Sequence, residues 1–404
     1  MKALTCALLL LIACKTTTLA QTYILHGNVT DSATGKAIIG ASVFLRNTSI
    51  GTATDNDGTF TLHGIPTSRF DLVIASLGYN THLQTISPEN IQQTLNILLT
   101  PKANNLSAVV VGTYDRDGWA KWGDEFTEDL IGTSFFALQC TIKNHRAIKF
   151  RYSPKKQLLE AFTDEPLLIE NKSLGYIIHY KMESFSYSEK NRNVHFEGFP
   201  FFEEMQGSER DKQRWAERRK EAYYGSVMQF LRCLYVNKLI ENGFEVRKDV
   251  RKFNIEKQRV QAIYNYSKSM GQDTYEFENS LNEDTLQYYK KVLQEIDGSD
   301  LLYPKLLERD SIAKAVDSFT ISVQFNYYYD VVYKKKRIPY EYLTQITPRL
   351  SPKDFLTSQI KLTDATKPIY VTYNGFYQPQ NFYLYGFWAW NEKLSSLLPY
   401  DYWP

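Results

Sequence analysis

The sequence is short of the residues on which most enzyme chemistry is built. It has four cysteines, and two of them, Cys6 and Cys14, sit close to the N-terminus, which leaves Cys140 and Cys233 for a folded body. Nothing in the spacing of that pair demands a bridge, so two buried thiols are the expectation, with a disulfide still open in an oxidising compartment. Histidine is scarce as well: His26, His63, His82, His145, His179 and His195 are the complete set, and none opens a His-x-x-Glu or His-Glu-x-x-His pattern. The ligand spacing of the common zinc hydrolases is therefore missing. His179 and Glu183 are four apart, but "GYIIHYKMESFSY" alternates like a strand, which would hold them about 13 Å apart on one face. A net charge of +2 gives no field that would gather nucleic acid. No Gly-x-Ser-x-Gly elbow, Walker loop or dinucleotide fingerprint occurs, so acyl-transfer and phosphate chemistry have no anchor. No catalytic, cofactor-binding or metal-ligating residue, and no cofactor, is assigned from the sequence.

Long apolar runs are also absent after the N-terminus, so no transmembrane helix is expected in the mature chain. The N-terminus itself, "MKALTCALLLLIACKTTTLAQ", has a lysine, an apolar run from Ala3 to Ala13 and a short polar tail, the anatomy of a secretory signal. Two processing sites compete. Thr18-Leu19-Ala20 before Gln21 resembles a signal-peptidase site, which gives a signal peptide over residues 1–20. Leu11-Ile12-Ala13-Cys14 resembles a lipobox, which would make Cys14 a lipid anchor. Either reading exports the protein.

What is present in quantity is aromatic: 29 tyrosines and 23 phenylalanines favour β-structure with wet aromatic surfaces. From Tyr23 the chain alternates apolar and polar residues, with turns at Thr30–Gly35, Asn47–Gly51 and Asp55-Asn56-Asp57-Gly58. Phe60 and Leu62 fall on one face of the following strand, Thr59 and Thr61 on the other. About seven short strands up to Pro101 predict a β-sandwich over residues 21–101. "TDNDG" invites a calcium reading, but the strand after it cannot supply the glutamate an EF-hand loop needs. Asn28 and Asn47 head Asn-x-Ser/Thr triplets, which matter only in a eukaryotic secretory protein.

This segment resembles the carboxypeptidase-regulatory-like domain, a transthyretin-like sandwich. The likeness rests on Gly27, Val29, Asp31, Thr34-Gly35, Gly40-Ala41-Ser42-Val43, Gly51-Thr52, Thr54-Asp55, Gly58, Phe60, Leu62, Pro66 and Leu77-Gly78-Tyr79. The resemblance implies an exported setting, because such domains accompany metallocarboxypeptidases and open many envelope proteins of Bacteroidetes-type bacteria, TonB-dependent transporters among them. It implies no activity, since the domain carries no catalytic residue in either setting. A TonB-dependent transporter is excluded by length, because its barrel needs some 22 strands of about ten residues. A barrel of eight strands fits the length but not the intervening helices.

Residues 102–118 read as a linker, and residues 119–404 as a larger mixed α+β region. The stretch from about Trp119 to Met205 reads as β-rich. In "SERDKQRWAERRKEAYYGSVMQFLRCLYVNKLIENGF" the period turns helical, with Ser208 and Asp211 forming a capping box, a break at Gly225-Ser226 and Gly243 as C-terminal cap. "LNEDTLQYYKKVLQEI" is a further helix, and strands return before the end. Lys334 to Arg337 reads as a solvated hairpin tip. The order of "YYGSVMQFLR" and "NGFYQPQNFYLYGFWAW" looks like a group of envelope proteins of the same bacteria. The fold class expected is mostly β with some α.

The function expected is a non-enzymatic cell-envelope protein that presents its larger region to a protein or glycan partner, in the periplasm or at the outer membrane surface. Tyr373, Phe376, Trp388, Trp390 and Trp403 are the candidates for stacking on sugar faces, with core packing as the alternative role. The competing expectation is a secreted hydrolase working through carboxylates such as Glu160, Asp164, Glu165, Glu183 and Glu197. A raised carboxyl pKa within a pocket would favour it.

Overall fold

The computed structural model describes residues 22–87, 91, 93–102, 114–345 and 351–404. The leader with Cys14 and most of the 102–118 linker lie outside the described residues. By contact the chain separates into two compact units. The first runs to Ile131 and adds Gln139–Arg218 and Leu398–Pro404; the second consists of Gly132–Leu138 and Arg219–Leu397.

The first unit begins with β1 (Thr22–Asp31), β2 (Ser42–Leu45), β3 (Gly51–Ala53), β4 (Thr59–Pro66), β5 (Phe70–Ala75), β6 (His82–Ile86) and β7 (Leu95–Leu99). They form two sheets, in the orders β4-β1-β7 and β3-β2-β5-β6, and Leu25, Val43, Leu62 and Leu72 fill the space between. In β4 the predicted alternation holds, with Phe60 and Leu62 buried and Thr59 and Thr61 exposed. Gly64, at a φ of 76°, then adds one residue to β4 between the pairs Leu25–Leu62 and Tyr23–Ile65, which returns Ile65 to the core.

Most residues that mark this domain in the sequence close turns. Asp31 accepts from the Ala33 amide at 2.7 Å and from the Tyr79 hydroxyl at 3.0 Å. Thr54 accepts from the Ala41 amide at 2.8 Å and donates to the Ile38 carbonyl at 2.6 Å. Asp55 receives the Asp57 and Thr59 amides, so the "TDNDG" loop is a turn held by its own backbone. Gly58 sits at a φ of 74°, and a Cβ there would lie 2.7 Å from the Val29 carbonyl, so only glycine closes it without strain.

Next come α1 (Gly118–Leu130), β8 (Cys140–Ile142), β9 (Lys149–Ser153), β10 (Leu158–Phe162), β11 (Leu167–Asn171), β12 (Tyr176–Ser188) and β13 (Asn193–Glu204). The sheet order is β8-β11-β12-β10-β9, with β13 also paired to β12. The stretch expected to be β-rich from Trp119 thus opens with a helix. Its tryptophans suit either structure, and Phe126 and Leu130, four apart, decide it by turning one face onto the sheet, where Phe126 meets Phe150 and Phe185.

The sandwich and this second sheet are joined as one unit. The outer face of the β2–β5 pair buries Phe44 and Val73 against Phe199, with Phe201 packed alongside. The Asn47 amide donates to the Pro200 carbonyl and the Phe202 amide to the Thr48 carbonyl, each at 3.0 Å. Tyr400, near the C-terminus, donates its amide to the Asn47 carbonyl at 2.7 Å. Arg46 lies 3.6 Å from buried Asp71 and spreads its guanidinium over the Phe199 ring.

The second unit mixes helices and strands. Its helical start is α2 (Glu209–Tyr223) and α3 (Val227–Tyr235), the chain passing from the first unit to the second within α2. Ser208 and Asp211 do form the reciprocal cap: the Ser208 amide donates to the Asp211 carboxylate and the Asp211 amide to the Ser208 hydroxyl. Gly225, at a φ of 88°, separates the helices, and Ser226 caps α3 through the Gln229 amide. The helix ends at Tyr235 rather than reaching Gly243; Asn237 takes a positive φ, and Gly243 instead turns the chain into the next strand.

Further on are β14 (Phe244–Phe253), α4 (Ile255–Ser269), α5 (Thr274–Ser280), α6 (Glu283–Gln294), β15 (Gly298–Leu306), β16 (Ala313–Ala315), β17 (Thr320–Val323), β18 (Tyr328–Arg337), β19 (Phe355–Leu362), β20 (Ile369–Thr372), β21 (Tyr377–Gln378), β22 (Phe382–Gly386) and a short α7 (Phe387–Asn391). Two sheets result, β15-β14-β18-β19-β22 and β16-β17-β20-β21, packed around Phe230, Leu231, Phe244, Val331, Val371 and Trp388. Lys334 to Arg337 is not a hairpin tip: it ends β18, where the Lys335 and Lys336 ammoniums reach the Glu241 and Glu221 carbonyls. The chain is mostly β with some α, as expected.

Candidate functional site

A cleft of about 410 Å³ opens within the first unit, between the sandwich and the second sheet. Its sandwich wall comes from β2, β3 and the end of β5: Ser42 and Phe44, Gly51 and Thr52, Ala75 and Leu77. The opposite wall is the face of β12 and β13 that carries His179, Lys181, Phe201 and Glu203, closed at one end by the β10–β11 turn with Asp164, Glu165 and Pro166. Strand geometry puts these side chains together. His179 and Lys181 are two apart on β12 and so share a face, while antiparallel register sets His179 opposite Phe201 and Lys181 opposite Phe199. Gly51 lets the walls approach, because a Cβ there would stand 2.5 Å from the Phe201 ring.

The electrostatics are uneven. His179 Nε2 lies 3.0 Å from Glu203 Oε2, and its ring centroid is 5.8 Å from that of Phe201. Asp164 accepts from the Lys149 ammonium at 2.7 Å, which holds its carboxyl below the usual value. Glu165 accepts from the Asn144 side-chain amide at 3.0 Å. Lys181 differs from all of these. It is 8% exposed, and among the described residues no hydrogen bond or ion pair holds its ammonium. Burial pushes its pKa below that of an ordinary lysine, Lys102 adds to the effect, and Glu183 and Asp164 oppose it.

A general acid needs a carboxyl that stays protonated near neutrality. In this cleft Asp164 is displaced in the opposite direction, which does not suit it to that role. Of the carboxylates weighed for hydrolysis, Asp164 and Glu165 line the cleft. Glu160 is paired to Arg151 at 2.9 Å, Glu183 accepts from Thr81 at 2.7 Å, and Glu197 stands exposed on β13.

The aromatics expected to stack on sugars are mostly core. Phe376 and Trp388 are 3% and 2% exposed, and the Trp388 indole donates to the Gly225 carbonyl. Trp390 packs on Tyr342 and Phe387, Tyr373 is half-buried, and only Trp403 of the five is largely exposed. Cys140 and Cys233 are thiols in the structure, and burial lifts them to about 12 and about 11, out of the reactive range. Among the described residues no group of His, Cys, Asp and Glu is arranged to hold a metal ion, and no helix is long and apolar enough to cross a membrane.

The second unit carries the strongly raised carboxyls. Asp330 on β18 is raised to about 6 by burial and by neighbouring Asp249, against the pull of Arg247 and Gln359. Glu392 is raised to about 7 by burial, although it accepts from the Val227 amide at the start of α3 at 3.0 Å. Sequence reasoning missed Lys181 and the cleft walls. The available signal was a lysine inside the apolar run of β12, between Tyr180 and Met182.

Residues 25–111 match the model of the CarboxypepD_reg-like domain, which makes the seven-stranded sandwich a domain of that kind. Among solved structures, BcpA, the major pilin subunit of Bacillus cereus, is 16% identical with a TM-score of 0.18, over 20% of this chain and 30% of the pilin, so the chain spans less than two thirds of that protein. A Bacteroides fragilis protein described as membrane-associated and of unknown function is 9% identical with a TM-score of 0.17, covering 90% of this chain and 93% of its own. Scores this low leave both likenesses without bearing on function. The curated proteins give no match.

Proposed function

We propose that the protein is an exported, non-enzymatic binding protein of the cell envelope, whose recognition site is the cleft between the sandwich and the second sheet. One observation carries the reading. A cleft of about 410 Å³ combines an aromatic wall with charged and hydrogen-bonding side chains, and Lys149 holds the Asp164 carboxyl there below its usual value, which suits holding a ligand rather than transferring protons to it. The secretory leader and the carboxypeptidase-regulatory-like domain support the envelope setting, with either Cys14 lipidation or cleavage after Ala20 as the last processing step. In this reading the sandwich is half of the binding site and not only a mount.

The test has two arms. Fractionation of the native host, with protease shaving and lipid labelling, should find the mature chain in the envelope; a cytoplasmic pool would contradict the reading. Ser42→Trp, which fills the cleft from the sandwich side, should abolish binding to envelope glycans in a purified-protein assay without altering the melting temperature. Unchanged binding would move the site elsewhere.

Hydrolysis is the second reading: Asp330 has the raised carboxyl, about 6, that a general acid needs, but it is buried on β18 and is not among the residues that line the cleft. Asp330→Asn would abolish any glycosidase activity if that reading held.

A further inference from the structure

We infer that the cleft takes a sugar bearing one carboxylate, a uronic-acid residue of an acidic glycan, with the Lys181 ammonium as the contact for that carboxylate. The inference rests on the binding reading above and adds the class of ligand.

The donors and acceptors of the cleft select the class of ligand. The carboxylates of Asp164, Glu165 and Glu203 give the cleft a surplus of acceptor oxygens. Two of these carboxylates already face a positive or ring-nitrogen partner, Lys149 or His179, which leaves acceptor positions over on each. A ligand that satisfies such a surface must be rich in donors, as sugar hydroxyls are. A peptide matches it less well, because each of its units brings one N–H and one carbonyl. Phe44 and Phe201, with ring centroids 5.5 Å apart, give the apolar wall against which the C–H face of a sugar can rest.

Lys181 supplies the anionic requirement. Lys181 is 8% exposed as a residue, but its ammonium is not sealed off: the stem is buried, the head opens on the cleft, and among the described residues no hydrogen bond or ion pair occupies it. The partial desolvation of that ammonium, which Glu183 and Asp164 offset only in part, is relieved further by an anion seated on it. His179 and Lys181 stand on the same face of β12, so a carboxylate seated on the ammonium places the ring beside His179 and Phe201. Lys181 is the one lysine among the cleft-lining residues, and the carboxylates around it limit the charge it can accept, so one anionic group per bound unit is expected.

The experiment titrates the full-length protein with three probes: methyl glucuronide, methyl glucoside and the free acid of acetyl-alanyl-alanine. Wild type should prefer the glucuronide over the glucoside by about tenfold or more, and less so as salt is raised. Lys181→Met should erase that preference while keeping, or raising, the melting temperature. Ser42→Trp should block both sugars. Equal binding of glucuronide and glucoside, unchanged by Lys181→Met but blocked by Ser42→Trp, overturns the inference and leaves the binding site standing. Lys181-dependent binding of the dipeptide alone overturns the sugar. Glucuronide binding untouched by both variants, or no binding of any probe at millimolar concentration, overturns the inference and the cleft together.

Discussion

Each unit buries charge of both signs, but the strongly raised carboxyls lie in the second. In the first, Lys181 is 8% exposed beside Asp164, whose carboxyl Lys149 holds below its usual value; in the second, Asp330 and Glu392 are carboxyls pushed toward neutrality. The first arrangement calls for an anion from outside. The second is relieved by a proton, which is available to any pH shift. The units are therefore expected to respond to different variables, the first to ligand and the second to acid.

The sharpest way to break the first unit is at its junction. Arg46→Met leaves Asp71 buried and 1% exposed without its cation, and removal of one partner from a buried pair costs about 3–5 kcal/mol. Urea denaturation followed by Phe199 and Phe201 exposure should show the loss. A shift under about 1 kcal/mol would mean that the Thr85 hydrogen bond suffices for Asp71.

The second unit should respond to pH instead. Glu392 rises from 4.5 to about 7 and Asp330 from 3.8 to about 6, so each folded carboxyl binds a proton that the unfolded one has released. Stability is thus highest below the unfolded values and falls as pH rises through about 4 to 7, by up to about 3 kcal/mol for Glu392. Glu392→Gln should flatten that slope in melting temperatures measured from pH 4 to 8, and an unchanged slope would remove Glu392 from the account.

Smaller effects separate packing from charge in the first unit. Gly51→Val drives a side chain into Phe201 and should cost about 1–3 kcal/mol, with loss of ligand binding. Lys181→Met should stabilise the unliganded protein by about 1 kcal/mol, the sign opposite to that of an ordinary core substitution. A destabilised Lys181→Met would mean that the ammonium already has a partner.

The sandwich was legible because its signals are local. Asp31, Thr54, Asp55 and Gly58 each close a turn within their own neighbourhood or with an adjacent loop, and such residues are fixed by backbone geometry. The capping box at Ser208 and the break at Gly225 were legible for the same reason. Helices α4 and α5 were not, because few of their side chains are buried: Val260 and Ser267 in α4 and none in α5, so no apolar stripe marks them. The aromatic run near the C-terminus pointed to a sugar platform because sequence cannot say which face of a strand or helix meets a core, and Trp388 turned inward. The cleft was invisible for a further reason. Its walls come from residues 40–77 and 164–203, and contacts distant in sequence, such as the pairing of Asn47 and Thr48 with β13, bring them together.

The central claim is that ligand enters between the sandwich and the second sheet. Hydrogen exchange of the full-length protein, with and without saturating methyl glucuronide, tests it most directly. The account predicts slowed exchange at residues 42–44, 51–52, 164–166 and 179–181, on both walls at once. Protection confined to one wall, or centred instead on residues 328–333 around Asp330, would contradict it.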